Sequence, residues 1–253
     1  MELWQILILV IAGMLSGWLN VMAGGGSLLT VPIMLFMDMP APVANGTNRI
    51  AILAQNITAV YTFFRKGLSD FKLGLSLSFV ASIGAVLGAY LGVHIEGEWV
   101  VRLLAAVMVG VKIIIATGNK FGGKKSGENA TEPEQPKNLL WGHVLMIGAG
   151  FWGGMIQVGV GFILMPILHR VMGFGLVRVN MYKVLVVLSY TIVALAIFAS
   201  QLELMWWAGL GLALGNSIGG WYGAHTTIHK GEAWIRWVLN ITLTAFIIKL
   251  LFF

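Results

Sequence analysis

Gly24-Gly25-Gly26-Ser27-Leu28-Leu29-Thr30-Val31-Pro32 lies inside an apolar run that covers residues 3–37. Successive glycines place a bend there, because glycine reaches backbone angles closed to other residues. The stretch has a counterpart: Val158-Gly159-Val160-Gly161 precedes Pro166 within a second apolar run, 139–168. Working outward, further pairs keep the same order. Asn48 matches Asn180, and Gly84, Gly88, Gly92 and His94 match Gly215, Gly219, Gly223 and His225. Gly97-Glu98 and Arg102 match Gly231-Glu232 and Arg236. These matches lie 131 to 134 residues apart, and a run of matches at one offset marks a duplication.

The surroundings of both copies are those of a membrane protein. The 253 residues are 58% hydrophobic and only 10% charged, with a mean hydropathy of +0.87. A soluble domain carries about 25% charged residues, so lipid must cover most of this surface. The net charge of +6 does not point to nucleic acid, since the Lys and Arg residues cluster at the ends of apolar runs, as topology signals do. Cysteine is absent, which excludes disulfides, thiolate metal sites and a Cys nucleophile. The start, Met1-Glu2-Leu3-Trp4, lacks the basic region of a secretory signal, so the first apolar run is expected to be retained. Apolar segments cover 3–37, 43–64, 72–93 and 99–117, then 139–168, 178–199, 204–227 and 233–253. Most reach the roughly 20 residues that a membrane-crossing helix requires. Residues 118–138, rich in Gly, Lys, Glu and Pro, form the linker. The expected organisation is a first membrane repeat (1–117), a cytoplasmic linker (118–138) and a second membrane repeat (139–253).

Charge orients the copies. Arg65, Lys66 and Lys72 flank the turn after the second segment, whereas the equivalent Ser200-Gln201-Leu202-Glu203 has no basic residue. Conversely, the turn 38–43 has none, while its counterpart carries Arg170 and Arg178. The turn 94–98 holds only acids and a histidine, and its partner holds His229-Lys230. Each turn changes sides between copies, which predicts repeats of opposite topology with both chain termini external. The runs 3–37 and 139–168 must then begin and end on the same face, each as a Gly-broken helical hairpin or re-entrant pair. Such interrupted segments in opposed repeats point to the binding site of a secondary transporter.

Two cations fall within the apolar segments: Arg49 and Lys183. All ten acids sit at segment ends or in the linker, so a ligand or backbone carbonyls must complete the surroundings of these cations. Snorkelling to the interface is the alternative. The bends offer the same sign of charge, since helix starts after Gly24, Gly25, Gly26 and Ser27, and after Gly159 and Gly161, favour anions; packing through small residues is the competing reading. Thr47, Asn48 and Asn56 near Arg49, Asn180, Ser189 and Tyr190 near Lys183, and Gln157 beside the second bend complete the candidate substrate-binding set. The stripes Gly84/Gly88/Gly92 and Gly215/Gly219/Gly223 read as helix packing. Gly215-Asn216-Ser217-Ile218-Gly219 fits the nucleophile-elbow pattern, but that chemistry needs a strand-to-helix turn with Asp and His following; inside an apolar helix it reads as packing. The five histidines show no ligand spacing, no phosphate-binding loop is present, and neither cofactor, metal nor catalytic residue is expected.

The string from Gly24 to Pro32, followed by Ala44-Asn45-Gly46-Thr47-Asn48 and Tyr61 to Gly67, resembles the TauE/SafE sulfite-exporter family of membrane permeases. Gly159-Val160-Gly161 to Pro166, then Arg178-Val179-Asn180 and Lys183, is similar to that family's second copy. Val158 and Val160 depart from the fuller glycine run often found there. The resemblance implies transport of sulfur oxyanions or organosulfonates across a bacterial inner membrane. The expectation is therefore an all-α polytopic protein, two inverted repeats each with a Gly-broken hairpin plus three transmembrane helices. It would carry a small anion by alternating access, with membrane lipid around it and no nucleic acid, and a homodimer left open. An anion channel and a non-transporting membrane subunit are the alternatives.

Overall fold

In a computed structural model, residues 2–68, 70–95, 98–99, 102–103 and 135–252 are described, with side chains at 236, 239, 240 and 242–252 set aside. The linker up to residue 134 and most of the apolar segment 99–117 lie outside these residues, as do Glu96 and Gly97. Every regular element described is a helix. In order these are α1 (Leu3–Met22), α2 (Ser27–Phe36), α3 (Ala41–Arg65), α4 (Phe71–His94), α5 (Leu139–Met155), α6 (Val160–Pro166) and α7 (Leu176–Gln201). The last is α8 (Trp206–Phe252), in which Gly231 breaks the helical geometry at φ 66°. A π-helical turn, Ile167–Val171, continues α6 beyond Pro166; proline has no N–H to donate and disturbs the preceding turn.

The side-chain distribution is that of a protein dissolved in lipid. On α4 the outward stripe is Leu75, Phe79, Ile83, Leu87 and Leu91, all exposed. The inward face carries Gly74, Ser78, Ala81, Gly84, Ala85, Gly88 and Ala89. On α8 Trp207, Leu210, Leu214, Ile218 and Trp221 face outward in the same way. Large apolar groups outside and small groups inside are what close helix packing in a bilayer requires, because lipid is as apolar as leucine. Leu3–Met22, Phe71–His94 and Leu176–Gln201 are long and apolar enough to cross a membrane.

The small inner faces set which helices touch. A Cβ on Gly84 or Gly88 would strike the carbonyls of Ile147 and Phe151 on α5, and one on Gly92 would strike that of Met155. A Cβ on Gly215 or Gly219 would strike the carbonyls of Val10 and Met14 on α1, and Gly223 lies against Trp18. Both stripes are thus helix contacts, each joining the first helix of one half to a later helix of the other. Contact positions also rise together along each pair, so α4 runs parallel to α5 and α8 parallel to α1. Gly46 against Leu204 and Gly209 against Ile50 align α3 with α8. Ser217, the serine of the elbow-like motif, is mid-helix in α8, where its carbonyl accepts from Thr58 Oγ1 at 3.1 Å.

α3 and α7 form the interior. α3 buries Asn45, Thr47, Asn48, Arg49, Gln55 and Asn56, and α7 buries Asn180, Lys183, Tyr190 and Thr191. Polar groups at that depth need partners, and those partners define the site.

Candidate functional site: the meeting point of two broken helices

The two bends touch. Gly24, at φ 85°, packs its backbone on Gly161, and a Cβ on either glycine would fall on the other's Cα. After the first bend the chain doubles back, so that Gly26 lies against Ser16 and Asn20. In the second bend the left-handed positions are Gln157 (φ 67°) and Gly159 (φ 72°). A non-glycine residue in that region is uncommon and costly, and Gln157 is held there by its side chain.

Each bend exposes the last carbonyls of a helix, the negative end of its dipole, and a buried cation from the other half meets them. Arg49, fully buried, donates from Nη1 to Gly153 O at 2.9 Å and to Gln157 Oε1 at 3.2 Å. Its Nη2 donates to Gly154 O at 2.5 Å. The guanidinium also stacks 4.3 Å from the centre of the Phe198 ring, and Asn45 Nδ2 closes the end of α5 by donating to Met155 O at 2.8 Å. Lys183, 3% exposed, performs the same task at α1, donating to Val21 O at 2.7 Å. It also donates to its own neighbour Asn180 Oδ1 at 2.8 Å. Neither cation meets a carboxylate among the described residues. Both point inward, and backbone carbonyls supply much of their surroundings.

The remaining predicted residues divide between scaffolding and site. Asn48 reaches the first turn of α2, donating to Ser27 Oγ at 3.2 Å and accepting from Thr30 Oγ1 at 2.8 Å. Thr47 Oγ1 accepts from the Met205 amide at 3.2 Å, which ties α3 to the start of α8. Asn180 Nδ2 donates to Thr227 Oγ1 at 3.3 Å. The fully buried Tyr190 lays its ring on Gly153, and Ser189 donates to Leu185 O at 3.0 Å within α7. Gly25 is buried within the first bend.

Beside the Gly24–Gly161 contact lies a small cavity of about 10 Å³, lined by Asn20, Gln55, Asn56, Val160, Gly161, Lys183 and Val187. That is about the room one water needs and far below the roughly 300–1,000 Å³ of pockets for drug-sized ligands, so the site is closed in this conformation. Asn56 donates to Ile52 O at 2.7 Å, and Asn20 Nδ2 donates to Gln55 Oε1 at 3.2 Å. Arg49 is not among the lining residues, although sequence reasoning placed it with Lys183. Asn20, Gln55 and Asn45 were missed. Asn56 stands about two turns beyond Arg49 on the same face of α3, whereas Gln55, six residues on, is turned away from that face; the available signal for Gln55 was a second amide beside Asn56 in an apolar segment. For Asn20 there was none short of the fold. α6 has only seven residues before its π-turn, too short for the macrodipole expected of the second helix start.

Among the described residues, a helical bundle with apolar outer faces and helices long enough to cross a bilayer defines a membrane protein. The sequence matches the family described as Sulfite exporter TauE/SafE over residues 9–250, and the chain belongs to that family. It is similar to "Probable membrane transporter protein ORF9" of Sinorhizobium sp, 25% identical over 96% of this chain and 91% of that protein. It is similar to "Probable membrane transporter protein YfcA" of Escherichia coli K12, 25% identical over 97% and 89%. "Probable membrane transporter protein YunE" of Bacillus subtilis is 23% identical over 93% of each chain. No solved structure matches.

Proposed function

We propose that the protein is a secondary carrier for a small anion, a sulfur oxyanion or organosulfonate, working by alternating access across a bacterial inner membrane. The observation that carries the reading is the small cavity beside the Gly24–Gly161 contact, which Lys183 lines together with the amides of Asn20, Gln55 and Asn56. A buried ammonium whose partners are neutral oxygens has no counter-charge, and an anionic cargo would supply one. The sulfur chemistry comes from the family to which the chain belongs.

Inverted topology with external termini is part of the same reading. It is supported by parallel α4 and α5 against parallel α1, α3 and α8, and by the basic residues Arg65, Lys66 and Lys72 at the turn from the end of α3 to the start of α4. Arg49 and Lys183 are then the joints of the transport cycle, each clamping the broken helix of the opposite half. Gly24 and Gly161 are the pivot on which the halves rock.

Thermal unfolding of the purified protein with sulfite, sulfonates, carboxylates, phosphate and a set of cations tests the sign of the cargo. A ligand at about 100 times its Kd stabilises by about 2.7 kcal/mol, which raises the midpoint by about 5–11 °C for a chain of this size. Stabilisation by cations alone would overturn the proposal. Saturable uptake with counter-exchange in proteoliposomes is expected of the carrier; single-channel currents would favour a channel instead.

A further inference from the structure

The sequence presents Arg49 and Lys183 as a matched pair of charges, yet their surroundings differ. Arg49 spends three donor contacts on the end of α5 and its flanking Gln157, covers a phenyl ring and does not line the cavity. Lys183 does line it. An ammonium has three N–H donors, and two of them are committed, to Val21 O and Asn180 Oδ1. The third remains for a cargo. Among the described residues no acid lines the cavity, and its other polar walls, Asn20, Gln55 and Asn56, are uncharged amides.

Resting on the anion-carrier reading, we propose that this site takes a cargo carrying one negative charge, recognised by Lys183 alone among the cations. Arg49 is a structural clamp on α5 rather than a second ligand. The electrostatics follow directly. A monoanion against one ammonium leaves the cavity neutral. A dianion leaves one uncompensated charge out of water, and an unpaired charge in an apolar interior is strongly disfavoured. Amides then supply hydrogen bonds to the remaining oxygens without adding charge. The chemical class is a small acid with a single ionised oxyanion group, such as an alkylsulfonate or hydroxyalkylsulfonate, and not a sulfocarboxylate or inorganic dianion.

The test compares two sulfonates of equal carbon number, isethionate and sulfoacetate, with methanesulfonate and sulfate as a second monoanion–dianion pair. Binding to the purified protein near neutral pH is followed by thermal shift and by tryptophan fluorescence at constant ionic strength. The monoanion of each pair is expected to bind at least about ten-fold more tightly. Lys183→Gln is expected to raise the monoanion Kd by about ten-fold or more. Equal or tighter binding of the dianions overturns the single-charge assignment and leaves the anion carrier standing. Absence of a response to every anion overturns both. Because the wild-type protein alone reports the monoanion preference, the outcome does not depend on the Lys183 variant folding.

Discussion

Gly161→Ala is the sharpest test of the contact between the two bends. The added Cβ would land on the Gly24 Cα, with the Gly24 carbonyl oxygen at 2.8 Å and its carbon at 2.9 Å. These are backbone atoms, which cannot swing aside as a side chain would. Overpacking in a well-packed core costs about 1–3 kcal/mol, and a backbone-to-backbone collision belongs at the upper end. About 3 kcal/mol corresponds to a fall in melting temperature of about 6–12 °C for a chain of this size. Gly148→Ala is the internal control. Nothing lies within 4 Å of its Cβ position, and it sits within α5, where alanine is favoured over glycine by about 0.5–1 kcal/mol. The midpoint should therefore hold or rise by about 1–4 °C. Thermal unfolding in detergent, read through the ten tryptophans, measures both. If Gly161→Ala melts with or above the wild type, the two bends do not meet as described, and the pivot and its adjoining cavity fall with them.

The other expectations follow from single contacts. Asn45→Ala strips the Met155 carbonyl of its side-chain donor at the end of α5. A cost of about 1–2 kcal/mol lowers the melting temperature by about 2–8 °C; an unchanged midpoint would show that this cap contributes nothing. Ser217→Ala should leave transport in proteoliposomes at the wild-type rate, because Ser217 engages Thr58 through its backbone carbonyl. Loss of function with an intact fold would reopen the nucleophile-elbow reading of the stretch from Gly215 to Gly219.

The candidate site was only partly legible in the residues. Arg49, Lys183 and the glycine bends stand out because charge and repeated glycine are rare in apolar segments, and rarity can be seen without coordinates. The partners of those cations could not be read. Arg49 and Gly153 are 104 residues apart, Lys183 and Val21 162, and their acceptors are backbone carbonyls, which every residue possesses. The pairing that appeared to join the two cations in one site also dissolved. Matching positions in sequence do not guarantee a shared cavity once Phe198 and Tyr190 fill the space near Arg49, while Asn20 and Gln55 line the small cavity at Lys183.

The residues alone were enough to name the solvent of this protein and the glycine-rich places where two of its helices break. Composition, periodicity and glycine are properties of short stretches, and they act wherever the chain lies. Only the tertiary structure decided which broken end each cation closes, and that Gly24 rests on Gly161. It alone placed one of the two cations, the Lys183 ammonium and not the Arg49 guanidinium, at the wall of the cavity. Those are facts about distance between remote segments, set by how glycine-lined helix faces pack, and no local pattern encodes them.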